Sequence, residues 1–124
     1  MQDIILVSFG AILGSNLRFI IYETLEKYKL NNNLRILFVN TFASFFLGFF
    51  LSIIPQVGSL DFSYQLVLFF LIGFLGSFST FSTFVYDLFV LLLQSNFFQA
   101  LKLFVTSIAL GIIAIAFGFY LGTY

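Results

Sequence analysis

The chain has 124 residues, of which 61% are hydrophobic and only 8% charged, and its formal net charge is zero. Soluble domains carry about a quarter charged residues, so a chain this apolar is built for lipid rather than water. Since the sequence holds no Cys and no His, it has no thiolate chemistry, no disulfides and not the commonest general base. We therefore do not expect an enzyme, and without a basic tract we do not expect nucleic acid as a partner.

Four apolar stretches separated by short polar breaks predict an all-α membrane protein, with one transmembrane domain over residues 1–124. A membrane helix needs roughly 20 apolar residues, and the first, second and fourth stretches have that length. The segment 23–33 is predicted to be a loop, and the turn residues of 55–59 end the second helix. The predicted helices cover about residues 4–22, 34–54, 64–93 and 100–121.

The positive charges indicate the orientation in the membrane. With four spans, the first and third loops lie on one side, which holds every Lys and Arg except Arg18, namely Lys27, Lys29, Arg35 and Lys102. The positive-inside rule then predicts that both termini lie outside the cytoplasm.

The first predicted helix carries Arg18 after a series of small residues. Gly10, Gly14 and Ser15 allow close helix packing, which would turn Arg18 towards protein rather than lipid. Arg18 could then serve the entrance of an anion pathway, although a long cationic side chain can also simply reach the interface.

The second predicted helix carries Asn40, Ser44 and Gly48 on one face, because they are four residues apart. This small and polar stripe interrupts an otherwise apolar helix. It fits either a packing seam between helices or the lining of a pathway.

The third stretch is about 30 residues long, which is too long for an untilted span. Residues 73–84 at its centre hold two glycines and five hydroxyls, so we predict a helix that is broken near the membrane midplane. Irregular backbone at that depth is tolerated only where it is buried in protein or lines a cavity. Unpaired carbonyls there could coordinate a sodium ion, and hydroxyls with the positive ring edges of Phe81 and Phe84 could solvate a small anion.

Three further polar residues lie in the last two spans. Asp87 is too short to reach the interface, so we expect it to face protein or a wet vestibule, as a structural acceptor or a functional group. Thr106 and Ser107 form a weaker polar patch on the fourth helix, for which helix packing is a sufficient reason.

Three motifs together resemble the CrcB (Fluc) family of fluoride channels over essentially the whole chain. Ser79 stands where that family usually has Thr, and Asp87 where it usually has Glu. The motif at 73–84 is the most specific, because generic membrane packing does not require that order of residues. The motifs are GxxxGSxxRF at 10–19, VNxxxSFxxG at 39–48 and GxxGxxSTFSTF at 73–84.

The resemblance implies an antiparallel dimer in the cell (plasma or inner) membrane, with two fluoride pathways that export the anion passively. It implies a central structural sodium ion held by the backbone carbonyls of Gly76 and Ser79. Arg18 and Asp87 would lie in a vestibule. The implied pathway residues are Asn40, Phe81, Ser82, Thr83, Phe84, Thr106 and Ser107.

Two other functions compete with this interpretation. A small proton-coupled multidrug antiporter has a similar length, but it needs a protonatable carboxylate within the first helix, and residues 4–22 hold none. A non-conducting subunit of a heterodimeric channel would tolerate Leu at Phe81 and Phe84.

The distribution of Lys and Arg bears on the partner of this subunit. A subunit that inserts into the membrane in both orientations should carry similar numbers of Lys and Arg on its two sides, so the bias in this chain predicts one preferred orientation. Its partner is then a second copy or an oppositely oriented paralogue.

Overall fold

In a computed structural model of the chain, residues 1–29, 31–56 and 60–123 are described, apart from the side chain of Asn32, and every regular element in them is a helix. Four helical stretches are long and apolar enough to cross a bilayer, with mean hydropathies between 1.8 and 2.3. This confirms the prediction of an all-helical, multi-pass membrane protein. The helices are α1 (Gln2–Lys27), α2 (Asn32–Ile53, followed by a 3₁₀ turn over Ile54–Gln56), α3 (60–78), α4 (Ser82–Leu93) and α5 (Phe97–Thr123).

The helices extend beyond the apolar stretches from which they were predicted. The largest difference is in the segment predicted as a loop over 23–33, since α1 continues to Lys27 and α2 begins at Asn32. Glu and Lys are good helix formers, so the charged residues that follow the apolar run continue the helix. Of the turn predicted at 55–59, the first two residues lie in the 3₁₀ turn and 57–59 lie outside the described residues.

The third span consists of two helices separated by three non-helical residues. Helix α3 is α-helical over Leu60–Leu66, π-helical over Val67–Leu75 and α-helical again over Gly76–Phe78. It ends because Ser79 adopts an extended backbone, with φ −76° and ψ 157°. Wide π turns are rare and often occur at functional sites, so this span departs from regular helix both before and at the interruption.

Helices α1 and α3 approach each other closely through glycines. A Cβ atom added at Gly10 or Gly14 would collide with the backbone of α3, and one added at Gly73 would lie against the carbonyl of Val7 in α1. The hydroxyl of Ser77 then donates a hydrogen bond across the seam to the carbonyl of Ala11, at 2.9 Å. The small residues of the first motif therefore pack as predicted.

Helices α2 and α5 form a second seam of the same kind. A Cβ atom at Gly48 would collide with the carbonyl of Ile115, and one at Gly118 with the carbonyl of Phe45. Between the two seams, Val39 of α2 and Phe78 of α3 form the core and are 0% and 1% exposed. The helices therefore pack in the order α1, α3, α2, α5, and α4 contacts α2 and α5.

We expect Gly118→Ala to lower the free energy of unfolding in detergent by about 1–3 kcal/mol, because the new methyl group would push α5 away from the backbone of Phe45. Gly111→Ala on the same helix is the matched control, since its Cβ would lie 3.5 Å from the hydroxyl of Ser44, an ordinary contact. This control should be neutral or slightly stabilising. Equal effects of the two substitutions would contradict the described seam.

Candidate functional site: a groove beside the interrupted helix

A groove of 330 Å³ lies beside the interruption of the third span. It brings together five of the residues that the sequence predicted as functional, which are Asn40, Gly76, Ser79, Phe81 and Phe84. The other lining residues are Ala43, Ser44, Leu47, Leu71, Leu75 and Thr80, so the described lining holds no charged side chain.

The side chain of Asn40 bonds to the backbone of Thr80 through both of its polar atoms. Its Nδ2 donates to the Thr80 carbonyl at 3.1 Å, and its Oδ1 accepts from the Thr80 N–H at 2.9 Å. A carboxamide is the side-chain equivalent of a peptide group, so Asn40 satisfies both polar groups of a residue that is outside any helix. The polar stripe on α2 is thus divided, since Asn40 contacts the interruption whereas Gly48 packs on α5.

The hydroxyl of Thr80 organises the start of α4. It donates to the hydroxyl of Thr83 at 3.0 Å and accepts from the N–H of Thr83 at 3.4 Å. Thr80 is only 5% exposed, and these bonds satisfy its hydroxyl in the protein interior. The first turn of α4 therefore begins with a side-chain cap that Thr80 provides.

Because the N–H groups of Thr80 and Thr83 bond to side chains, they do not donate to the backbone carbonyls that they would reach in a continuous helix. In a continuous helix the Thr80 N–H would donate to Gly76 and the Thr83 N–H to Ser79. The first instead donates to Asn40, and the second donates to the hydroxyl of Thr80. The carbonyls of Gly76 and Ser79, which the family resemblance implied as sodium ligands, therefore lose the amide donors that a continuous helix would give them.

Phe81 and Phe84 lie together at the groove, with ring centroids 6.5 Å apart and ring planes at 43°. Phe81 is 77% exposed, whereas Phe84 is half-buried. In this geometry the pair can present positive ring edges to an anion in the groove.

A second cavity, of 220 Å³, holds the charged groups near the loop that joins α1 and α2. Asp87 lines it and is 8% exposed, and Arg35 lines it from the start of α2. The remaining lining residues are Tyr22, Ile36, Thr83 and Tyr86. Thr83 lines this second cavity and is hydrogen-bonded to Thr80, which lines the groove, so one pair of hydroxyls lies between the two cavities.

The remaining predicted residues are not among those that line either cavity. Arg18 is half-buried on α1, and Ser82 is exposed at the start of α4. Thr106 lines a third cavity between the starts of α2 and α5, and the buried hydroxyl of Ser107 has no hydrogen-bond partner among the described residues. The structure thus does not bring Thr106 or Ser107 to the groove.

Two residues of the site were not assigned to it from the sequence. Thr80 belongs to the most specific motif, but its role as a cap depends on where the helix breaks. Arg35 entered only through the charge bias, although a cation five residues before Asn40 in the same predicted helix was a usable signal. Its position beside Asp87 depends on the packing of α1, α2 and α4.

We expect Asn40→Leu to loosen the interruption, because both polar groups of the Thr80 backbone would lose their partner at a cost of about 1–3 kcal/mol. Hydrogen–deuterium exchange of the peptide that spans 79–83 should become faster. Ser44→Ala is the control, since the Ser44 hydroxyl bonds only back to the carbonyl of Asn40 in its own helix. Unchanged exchange in Asn40→Leu would show that the amide does not hold the interruption.

Comparison with known proteins identifies the family. A family model described as "CrcB-like protein, Camphor Resistance (CrcB)" matches residues 5–119. A relative from Prochlorococcus marinus (strain NATL2A), named "Fluoride-specific ion channel FluC 2", is 58% identical over 123 residues, which is 99% of each chain.

More distant relatives cover nearly the same length. The "Fluoride-specific ion channel FluC 2" of another strain of Prochlorococcus marinus is 37% identical over 97% of this chain and 92% of its own. The "Fluoride-specific ion channel FluC" of Ignicoccus hospitalis is 35% identical over 95% of this chain and 93% of its own. The chain, with the groove and the interrupted third span described above, therefore belongs to the CrcB family.

Proposed function

We propose that the chain forms a fluoride-selective channel that lowers cytoplasmic fluoride by passive export of the anion. The observation that carries this proposal is the groove beside the interrupted span, where an amide, hydroxyls and two phenylalanine rings meet without a carboxylate among the described lining residues. The names of the relatives from Prochlorococcus and Ignicoccus, all fluoride-specific channels, support it.

The chemistry of the groove suits a small anion that must shed its water. Hydroxyl and amide protons can replace hydration, and ring edges add weak positive potential without a full charge. Conduction requires ion-binding sites that bind the ion strongly enough for it to enter but weakly enough for it to leave. A groove lined by neutral groups meets this requirement better than one lined by a fixed cation, which would hold the anion.

We propose that a second subunit covers the groove and that the two subunits pair in antiparallel orientation. Phe81 is 77% exposed, and Gly76 and Ser82 beside it are exposed as well. Polar and irregular backbone does not face lipid within the hydrocarbon region, so another protein surface should cover this one. The pair is either a homodimer or a heterodimer with a paralogue.

The charge distribution bears on the choice of partner. Lys102 lies near Asn31 and Asn33 in one cavity, and Arg35 pairs with Glu26, so the cations gather at one end of the bundle. One preferred orientation would favour an oppositely oriented paralogue. Purification of this chain alone as a conducting dimer would remove the need for one.

We further propose that the interruption lies near the membrane midplane and that a structural sodium ion binds there. Ser77, just before the interruption, bonds to Ala11 near the middle of α1, and Asn40 lies near the middle of α2. Carbonyl oxygens suit a hard cation, and the diverted amides leave those of Gly76 and Ser79 available for it. Two carbonyls per subunit are too few to bind sodium alone, so the ion would lie between subunits.

Fluoride efflux from liposomes, with chloride as the control anion, tests the pathway. We expect fast efflux for the native chain and a loss of at least about tenfold for Phe81→Ile or Phe84→Ile, because the aliphatic side chain lacks a positive ring edge. Phe89→Ile is the matched control, since Phe89 lies on α4 with Phe84 and is 56% exposed but does not line the groove.

The outcomes of this experiment separate the alternatives. Equal losses in all three variants would indicate a packing effect rather than a pathway. If the native chain gives no efflux alone but efflux after co-expression with a paralogue, and that efflux is unaffected by Phe81→Ile and Phe84→Ile, the chain is a non-conducting subunit. Efflux that occurs only with a proton gradient would support an antiporter.

Cross-linking tests the proposed pairing, and the chain is well suited to it because it has no cysteine. We expect Ser82→Cys to form dimers with a short bismaleimide in membranes, since Ser82 borders the surface that the partner would cover. Ile112→Cys on α5, where Ile112 is 62% exposed, is the control for random collision. Equal cross-linking at both sites would place the interface elsewhere.

A further inference from the structure

The cavity of Asp87 contains opposite charges that are close but not paired directly. Asp87 is 8% exposed, and its Oδ2 has no hydrogen-bond partner among the described residues. The side chain of Arg35 is 16% exposed, and its Nε likewise lacks a partner in the described part of the chain. Arg35 instead uses its Nη1, which lies 3.7 Å from Glu26 and donates to the carbonyl of Tyr22 at 3.5 Å.

A buried carboxylate at this place is costly in two ways. It has lost most of its water, and its negative charge lies one helical turn from Thr83, whose hydroxyl bonds to Thr80 in the groove. An anion that moves along these hydroxyls would be repelled by an uncompensated Asp87. Among the described residues, Arg35 is the one cation that lines the same cavity.

The burial of the polar atoms indicates how the two charges interact. The Tyr22 hydroxyl, Arg35 Nε and Asp87 Oδ2 are buried and have no hydrogen-bond partner among the described residues. Water therefore screens the attraction between Arg35 and Asp87 only weakly. Glu26 competes little for Arg35, because its side chain is 73% exposed and its charge is screened by solvent.

We propose that Arg35 is a positioning residue that compensates the charge of Asp87 across the cavity they share, so that an anion can pass Thr83 without being repelled. This inference rests on the proposed channel function and adds to it a residue that sets the electrostatics of the pathway. Arg35 acts on the carboxylate through its electrostatic field, and on the anion through Asp87.

Fluoride efflux tests the proposal with Arg35→Gln, Arg35→Lys, Asp87→Asn and the double variant Arg35→Gln/Asp87→Asn. We expect Arg35→Gln to slow efflux about tenfold, which is within the range of coupling between interacting charges. Arg35→Lys should keep most of the rate, and the double variant should be faster than Arg35→Gln. Lys102→Gln, an exposed cation at the same end of the bundle, should leave efflux unchanged.

Removal of the Asp87 charge separates electrostatic repulsion from a loss of structure. Asp87→Asn should restore efflux in Arg35→Gln but not in Phe81→Ile, because only the first variant leaves the buried carboxylate uncompensated. A residue that merely ties α2 to α1 through Tyr22 would give slow efflux that Asp87→Asn does not restore. That result would overturn the proposal.

Thermal unfolding of the same variants in detergent keeps this test independent of conduction. Arg35→Gln should lower the unfolding temperature by more than the double variant does, because it leaves the buried Asp87 carboxylate without its cation, whereas Arg35 keeps Glu26 as a partner when Asp87 is replaced. If the chain conducts no fluoride either alone or together with a paralogue, the proposed function fails, and this cycle still decides the pairing of Arg35 with Asp87. Additive effects in the cycle would overturn the pairing even if fluoride efflux is normal.

Discussion

Asn40 donates to and accepts from the backbone of Thr80, and the interrupted third span depends on these two bonds. A membrane helix normally satisfies its own backbone, and lipid offers no substitute where the helix stops. One carboxamide from the neighbouring helix supplies both a donor and an acceptor at that point. The result is a stretch of non-helical chain in which both polar backbone groups of Thr80 are bonded to one side chain.

The two glycine seams make this arrangement possible. Ser77 lies next to the interruption and bonds to α1 across the first seam, which fixes the end of α3 against a rigid helix. The second seam fixes α2 against α5 through Gly48 and Gly118. Because the core around Val39 and Phe78 joins α2 to α3, Asn40 is held at the height where Thr80 leaves the helix. The close backbone contacts at the two glycine seams thus determine the position of the Asn40 carboxamide.

The sequence was sufficient to predict the four spans, because each apolar stretch is long enough, and it was sufficient to predict the seam of Gly10 and Gly14. The motif at 73–84 also identified most of the groove. The π-helical stretch Val67–Leu75 could not be predicted, since its residues have ordinary helical hydropathy and only packing selects its wider turns. Thr106 and Ser107 share the polarity of the groove residues, yet the rotation of α5 places them elsewhere.

The neutral groove and the charged cavity separate two requirements of an anion pathway. An anion needs positive potential to leave water, but a cation in the narrow part would hold it. Here the described groove carries only dipoles and ring edges, while Asp87 lies one turn of α4 beyond Thr83 and Arg35 lines the same cavity from α2. If an anion passes through the groove as proposed, the opposite charges of Arg35 and Asp87 oppose each other there, and neutralising either one would change the potential that the anion meets. The residues that set the electrostatics therefore need not be those that touch the anion.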